Sequence, residues 1–377
     1  MGNPIAFEPV QLPPQLQDLR REVRAFVQAQ VPVGAHYTQS SRAFSRKLGE
    51  RGWIGMTWPA RWGGGERSDL ARYVVSEELI AAGAPIFYHW VADRQSGPLI
   101  LRFGTDDQRA RFLPAIAKGE CGFAIGLSEP DAGSDLSALR TRATRRDGGW
   151  RISGTKIWTS NAHEADFIIV LCRTGDSGGN RHQGFTQFIV DLHAPGVQVR
   201  PILNIAAAHE FNEVALDEVF VAQENRLGEV GDGWKQLMSE LAFERSGPDR
   251  FLSALALLRR FIDAIGTSPD DAQAEFVGRC VARLRTLRMM SMSVASMLHD
   301  RAPNVEAAIV KDLGNELEQD IVEGCRRLLP ACAATTDDPS SYARALQDAQ
   351  LYMPRVTIQG GTPQILRNGI ARALGMR

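Results

Sequence analysis

A glutamate interrupts an apolar stripe in the last third of the chain. Leu237 and Leu241 recur at helical spacing, and the next position of the same stripe is Glu244. A carboxyl group on the inward face of a helix is desolvated, which raises its pKa toward the range of a general base. Alternatively, Pro248 bends the helix and turns Glu244 outward to pair with a neighbouring arginine. The pattern alone leaves both interpretations open.

A turn rich in Asp, Gly and Ser follows an apolar segment in the middle of the chain. It has the sequence Leu-Ser-Glu-Pro-Asp-Ala-Gly-Ser-Asp, from Leu127 to Asp135. Such a turn offers backbone N–H groups and a hydroxyl, which suit a phosphate or the polar edge of a ring-shaped cofactor. A strand followed by an Asx-type turn, with no ligand, gives the same pattern.

Two further segments carry groups that suit a bound ligand. In Gly154–Asn161, Trp158 stands beside hydroxyl side chains and could pack on a planar cofactor, although a buried core tryptophan before a turn is the alternative. In Ile358–Asn368, two glycines precede Thr362 and open a final helix. The first N–H groups of that helix could face a ligand, or the segment is only a loop and a helix cap.

The elements that must position these residues change in type along the chain. Apolar residues recur at helical spacing from about residue 16 to 118, as at Leu19 and Val23, and again from 231 to 377. Between 122 and 227 the period changes to two, with short apolar segments between turns, which is typical of an antiparallel β domain. The short segments are Trp150–Ile152, Phe167–Leu171 and Phe185–Val190, and the long helical stretches are Trp234–Ile265, Gln273–Leu298 and Asn304–Leu329.

The composition argues against several classes of protein. The 377 residues contain 43 Lys and Arg against 44 Asp and Glu, whereas a general nucleic-acid binder has a basic surplus. The sequence contains no apolar stretch of about 18 residues, and its start lacks the pattern of a signal peptide. The five cysteines lack metal-ligand spacing and are expected to be reduced and mostly buried. We therefore expect a cytoplasmic protein with no metal ion and neither a nucleic-acid nor a membrane partner.

Together, these segments resemble the acyl-CoA dehydrogenase family over almost the whole chain. The resemblance rests on Leu127–Asp135, Gly154–Asn161, Trp58-Pro59 with Gly63–Gly65, Phe211–Val214 and Gly361–Asn368. It implies an α+β fold with an N-terminal helical domain, a central antiparallel β domain and a C-terminal four-helix domain that also builds the oligomer. We place these domains at residues 1–121, 122–228 and 229–377.

The resemblance also implies an FAD cofactor and an acyl-CoA substrate. Main-chain groups around Ile125, Leu127 and Ser128 would contact the isoalloxazine ring of the flavin. By the same resemblance, Trp158 would pack near this ring, and Ser160 would form a hydrogen bond close to its N5 atom.

Other parts of the cofactor and the substrate are implied to lie at the two remaining turns. Gly133 and Ser134 correspond to positions at the flavin pyrophosphate and the start of the CoA arm. Thr362 and Gln364 would reach the adenosine part of FAD. The substrate carbonyl in the family is held by a flavin hydroxyl and by a backbone N–H of the C-terminal loop, which is here that of Gly360.

In the family, a carboxylate removes the α-proton of the thioester while a hydride leaves the β-carbon for flavin N5. Many members carry this base in a Glu-Gly-Thr motif, where this chain has Gly360-Gly361-Thr362. A subset, which includes isovaleryl-CoA and some long-chain dehydrogenases, carries it in a Glu-Arg pair on the first C-terminal-domain helix. The pair Glu244-Arg245 stands at that position, so Glu244 is expected to be the base and Arg245 to lie beside the substrate. Bacterial dehydrogenases of steroid side-chain degradation have a similar Gly-Gly-Thr pattern.

Two family motifs are missing. No Arg-x-x-Phe-Gly stretch, by which a neighbouring subunit grips the FAD pyrophosphate, is visible in Thr267–Phe276, and no Gly-Gly-x-Gly loop is visible in Leu328–Thr336.

Three alternatives for the function follow. The chain is an active dehydrogenase with an electron-transfer flavoprotein-like acceptor, or a structural or partly catalytic subunit of a hetero-oligomer, or a flavin oxidase on the same fold. The resemblance implies a dimer or tetramer built by the C-terminal helices, and apolar stripes on the two long helices also predict an oligomer, which is a homodimer, a homotetramer or a hetero-oligomer. The stripes are Val277, Val281, Leu284, Leu287 and Met290 on the first helix and Ile309, Leu313, Leu317 and Ile321 on the second.

Overall fold

The computed structural model describes residues 5–32, 34–175, 179–245, 247–298, 300–329 and 341–376, without the side chains of residues 240–244. Contacts within the chain form two compact units. The first unit contains Met1–Tyr37, Asp69–Ala84 and Leu241–Arg377, and the second contains Thr38–Ser68 and Pro85–Glu240. The domain boundaries that we placed from the sequence stay a prediction.

The N-terminal part of the chain is helical, as its periodicity predicts. Its helices are α1 (Pro14–Gln30), α2 (Arg42–Gly49), α3 (Asp69–Ala81), α4 (Phe87–Val91), α5 (Gly97–Phe103) and α6 (Asp106–Ala117). The predicted stripe of α1 is buried, including Leu19 and Val23. A short π-helical segment, Ala92–Ser96, joins α4 to α5.

The second unit contains an eight-stranded sheet. Its strands are β1 (Phe123–Gly126), β2 (Arg142–Arg146), β3 (Gly149–Ser160), β4 (Phe167–Arg173), β5 (Phe185–Asp191), β6 (Val197–Leu203), β7 (His209–Ala222) and β8 (Arg226–Leu227). The order is β6-β7-β3-β2-β4-β5-β8, and β1 pairs with β4. Most neighbours are antiparallel, as predicted, but β2 pairs with β4 in parallel at one residue pair, and β1 runs parallel to β4 along its length. The intervening strands β2 and β3 supply the long connection that a parallel pair needs.

A bulge in β3 distinguishes the end of this strand from a regular strand. The pairing of β3 with β7 shifts register between Lys156 and Thr159. Within this shift, Trp158 has a φ of +58°. A left-handed backbone costs an L residue roughly 1–2 kcal/mol, so neighbouring contacts must hold it.

The C-terminal part of the chain is helical again. Its helices are α7 (Gly233–Arg245), α8 (Leu255–Ile265), α9 (Asp271–Met297), α10 (Asn304–Leu328), α11 (Tyr342–Val356) and α12 (Pro363–Ala373). The predicted stretch Trp234–Ile265 is therefore interrupted, because α7 ends at Arg245 and a 3₁₀ turn follows at Pro248–Arg250. Proline lacks the N–H that would continue a helix. The other two predicted stretches agree with α9 and α10 to within a few residues.

Three further properties follow from the described part of the chain. None of its helices is long and apolar enough to cross a membrane. It contains no group of His, Cys, Asp and Glu side chains arranged to hold a metal ion. Cys121, Cys172, Cys280 and Cys325 are free and buried, as predicted, whereas Cys332 and most of Leu328–Thr336 lie outside the described residues.

Candidate active site

The end of β1 and the bulge of β3 lie side by side in the second unit. Ile157 donates its N–H to the Ser128 carbonyl oxygen at 2.9 Å, which places the predicted flavin-contacting segment next to the predicted Trp158 segment. Ile125, Leu127 and Ser128 are half-buried. Among the described residues, the N–H groups of Leu127 and Ser128 have no protein acceptor. These two donors are therefore available to acceptor atoms of a bound ring.

A buried ion pair holds this arrangement. Lys156 Nζ lies 2.8 Å from Glu129 Oε1 and 3.1 Å from the Leu127 carbonyl oxygen. The Glu129 carboxylate also accepts N–H bonds from Arg140 at 2.6 Å and Thr141 at 2.8 Å. Burial favours the neutral acid, but the Lys156 charge and these donors outweigh it and lower the pKa of Glu129. Glu129 is therefore ionised at neutral pH and ties the turn after β1 to β3.

The ion pair is a structural feature that our sequence analysis missed. Both residues stood inside the quoted motifs, at Glu129 and Lys156, but no spacing rule joins a turn residue to a strand residue 27 positions away. Only the pairing of β1, β2, β3 and β4 in one sheet brings the two side chains together.

The turn Leu127–Asp135 exposes the groups predicted to bind phosphate. Gly133 and Ser134 are exposed, and their N–H groups have no protein acceptor within the part of the chain that the structure describes. The Asp135 carboxylate is neutralised by Arg181 and accepts a 2.6 Å hydrogen bond from the Ser137 hydroxyl. Because Arg181 offsets the charge of Asp135, an anion could approach Gly133 and Ser134.

Trp158 lies at the surface of the second unit. Its side chain is 58% exposed, so the alternative of a buried core tryptophan is wrong. Its ring meets Phe211 edge-on, with 6.0 Å between the centroids. Ser160, at the end of β3, is half-buried. An exposed indole beside unused N–H donors fits the planar ring and polar edge of a flavin.

The first unit contains the other predicted residues. The backbone of Glu244 is in the last turn of α7, and its side chain lies outside the described residues. Arg245 Nε donates to the Gly360 carbonyl oxygen at 3.0 Å, so the end of α7 meets the turn between α11 and α12. Gly360 and Gly361 have φ of +72° and +113°, a conformation that favours glycine. In the described residues, no protein group accepts the N–H of Gly360.

The structure gives Thr362 a role as a helix cap. Its hydroxyl accepts the N–H of Ile365, and Pro363 is the first residue of α12. Gln364 is exposed in the first turn of this helix. The contacts of Thr362 and Gln364 with adenosine stay predictions.

Protein-family models match three consecutive parts of the chain. Residues 13–120 match the acyl-CoA dehydrogenase N-terminal domain, residues 124–219 the middle domain and residues 231–375 the C-terminal domain.

Two relatives from Mycobacterium tuberculosis (strain ATCC 25618 / H37Rv) have the same sequence identity to the chain but differ in length. Acyl-CoA dehydrogenase FadE34 is 34% identical over 336 residues, which are 87% of this chain and 45% of that protein. Acyl-CoA dehydrogenase IpdE1 is 34% identical over 351 residues, which are 90% of this chain and 88% of that protein. The chain thus spans less than half of FadE34 and most of IpdE1.

Two solved structures are similar over nearly their whole length. The Tcur3481-Tcur3483 steroid ACAD has a TM-score of 0.87 and 28% identity, covering 97% of this chain and 99% of that chain. The ChsE4-ChsE5 complex from Mycobacterium tuberculosis has a TM-score of 0.86 and 28% identity, covering 98% and 99%.

Proposed function

Because the chain belongs to the acyl-CoA dehydrogenase family, we propose that it introduces an α,β double bond into a CoA thioester, with Glu244 as the base. The family is one of FAD-dependent oxidoreductases that act on acyl-CoA. The observation that carries the proposal is the 3.0 Å hydrogen bond from Arg245 to the Gly360 carbonyl oxygen. This bond holds Arg245, the residue next to Glu244, at the turn that carries the catalytic base in many family members.

The proposed chemistry assigns a separate task to each group of this turn. Glu244 takes the α-proton of the thioester, and negative charge develops on the thioester oxygen as that proton leaves. The N–H of Gly360 has no acceptor among the described residues, so it is available to stabilise that charge. FAD, when bound, supplies the acceptor for the hydride that leaves the β-carbon. Arg245 fixes the turn through its bond to the Gly360 carbonyl.

Residues of the second unit would hold the cofactor and the CoA arm. We assign the ring to the Leu127 and Ser128 N–H groups, with Trp158 and Ser160 at its side. Gly133 and Ser134 would take the pyrophosphate and the start of the CoA arm. Support comes from the exposed indole and from backbone donors without protein acceptors in the described residues.

A hetero-oligomeric assembly is a second candidate. A solved relative is a complex of two named proteins, and another is a steroid ACAD. The missing Arg-x-x-Phe-Gly stretch favours a distinct partner chain that would complete the FAD grip. A homodimer or homotetramer, the electron-transfer flavoprotein-like acceptor and a cytoplasmic location stay predictions.

Anaerobic titration with a panel of acyl-CoAs tests the proposed function. The purified protein should contain close to one FAD per chain, and at least one straight-chain, branched or steroid-derived acyl-CoA should bleach the flavin absorbance without oxygen. Stoichiometric peroxide in aerobic turnover would instead indicate the flavin oxidase. An FAD-loaded protein that no acyl-CoA in the panel reduces, alone or with a co-expressed homologue, would contradict the proposal.

A further inference from the structure

Two imidazoles and a buried amide lie together beside the Trp158 segment. The rings of His163 and His209 stack with centroids 3.7 Å apart and planes 19° apart. Asn212 of β7 is 0% exposed and contacts both rings. Its Oδ1 lies 2.7 Å from His209 Nε2, and its Nδ2 lies 3.2 Å from His163 Nδ1. Nδ2 also donates to the Thr159 carbonyl oxygen at 3.0 Å.

The Thr159 carbonyl oxygen determines the orientation of this group. A carbonyl can only accept, so the amide nitrogen of Asn212 must face it. The amide oxygen then faces His209 Nε2, which must donate, and the second amide N–H faces His163 Nδ1, which must accept. His163 is therefore neutral, with its proton on Nε2. Burial and the neighbouring His209 lower the pKa of His163, although Glu164 and Asn212 act in the opposite direction.

These contacts hold the bulge from one side. Thr159 directly follows Trp158, whose φ is +58°, and it is paired with Asn212 across β3 and β7. Two residues further on, Asn161 donates its N–H to the Glu210 carbonyl oxygen at 2.7 Å. Trp158 directly precedes the first of these bonds, and Ser160 lies between the two. A left-handed tryptophan persists only where its surroundings fix it. The Ile157 N–H bond to the Ser128 carbonyl oxygen holds the residue before Trp158, and the amide of Asn212 holds the residue after it.

We propose that Asn212 is a positioning residue for the cofactor: together with His163 and His209, it fixes the β3 bulge that presents Trp158 and Ser160 to the flavin. This inference rests on the proposed function, because it needs Trp158 to face the flavin. Asn212 itself is fully buried and acts only through the Thr159 carbonyl and the two imidazoles.

The variant Asn212→Asp tests this role with almost no change in shape. It removes both amide N–H donors and sets a carboxylate oxygen against the Thr159 carbonyl. We expect the dissociation constant of FAD, measured by quenching of flavin fluorescence, to rise on the order of tenfold. The visible circular dichroism of the remaining bound flavin should also change. His209→Gln keeps a donor for Oδ1 and should stay near wild type, whereas His209→Leu should resemble Asn212→Asp.

Gln108→Glu is a matched control within the second unit. Gln108 is also a buried amide, and its Nε2 donates to the carbonyl oxygens of Glu224 and Arg226 at 2.7 and 2.8 Å. Its loss should lower the melting temperature and leave the flavin signals unchanged. If Asn212→Asp also lowers the melting temperature and leaves the flavin signals unchanged, Asn212 is only structural and the inference is wrong. If Asn212→Asp does not fold, His209→Leu is measured in its place. Unchanged flavin signals with a lower melting temperature in that variant would show that the inference is wrong.

Trp158→Ala separates this inference from the proposed function. It should weaken FAD retention and change the flavin absorption, whereas Phe220→Ala, which removes another exposed aromatic ring of the sheet, should not. If Trp158→Ala leaves the flavin unchanged, the flavin-facing assignment itself fails. If Trp158→Ala changes the flavin signals and neither Asn212→Asp nor His209→Leu does, only the role of Asn212 is overturned.

Discussion

Lys156 and Trp158 lie two positions apart in β3 but have opposite environments. Side chains two apart in a regular strand share a face, yet Lys156 is 0% exposed and Trp158 is 58% exposed. The bulge inverts the alternation, so the lysine reaches the buried Glu129 while the indole stays outside. Period-two patterning predicted only Trp150–Ile152 of this strand, which extends to Ser160. It could not place these two side chains, because the inversion depends on a pairing with β7.

For single residues, we predict that Glu129→Gln destabilises the protein by about 3–5 kcal/mol, since it leaves the buried Lys156 charge uncompensated. Urea denaturation measures the change. The double variant Glu129→Gln/Lys156→Met should recover part of the loss, because it removes the charge as well. Equal stability of wild type and Glu129→Gln would show that the pair is unimportant.

The same carboxylate predicts a pH dependence of stability. The folded-state pKa of Glu129 lies below the ordinary value of 4.5, so the ionised form stabilises the fold above that pH. This contribution is lost as the pH falls through the lower, folded-state pKa. Wild type should therefore lose more stability than Glu129→Gln on acidification below about pH 4.5.

Among the elements, those with strong periodicity were predictable and those set by tertiary contacts were not. The stripe of α1 and the helices α9 and α10 agree with the sequence prediction, because helical spacing and burial coincide there. The parallel pairing of β1 with β4 and the bulge near Trp158 carry no local signal. Pro248 is a local signal for the end of α7, but apolar residues recur at helical spacing on both sides of it, so the sequence analysis predicted one continuous stretch.

The turn between α11 and α12 offers a test at the level of elements. At Gly361, φ is +113°, and an added Cβ would lie 3.2 Å from Arg245 Nη2. We predict that Gly361→Ala lowers kcat on the order of 10- to 100-fold by displacing Arg245 and the Gly360 N–H, with FAD content retained. Gly369→Ala in α12 is the control, since a Cβ there meets nothing within 4 Å. Unchanged kcat in Gly361→Ala would mean that the geometry of this turn does not matter for catalysis.

For the whole molecule, the long helices leave apolar side chains exposed on the single chain. Leu287, Leu317 and Ile321 of the predicted stripes are buried, but Val281 is 51% exposed and Leu313 is 38% exposed. Part of each predicted stripe is thus available to another chain. The sequence predicted these stripes, but it could not distinguish an identical partner from a related one.

We predict that the protein forms a dimer or a larger species with a large apolar interface. Light scattering on the protein expressed alone measures the mass, and absorbance measures the FAD content. A flavin-poor species that gains FAD on co-expression with a homologous chain would support the hetero-oligomer. A strictly monomeric, FAD-replete and active enzyme would refute the prediction of assembly.

The most direct test of the central claim is the rate of flavin reduction in Glu244→Gln, measured anaerobically by stopped flow with the acyl-CoA that reduces wild type fastest. The amide keeps the shape of the side chain but cannot take the α-proton, so the variant should bind FAD normally and lose on the order of 10²–10⁴-fold in rate. Glu275→Gln on α9 is the control, because the Glu275 side chain is 76% exposed and should have no role in the reaction. Flavin reduction in Glu244→Gln at a rate close to wild type would contradict the assignment of Glu244 as the base.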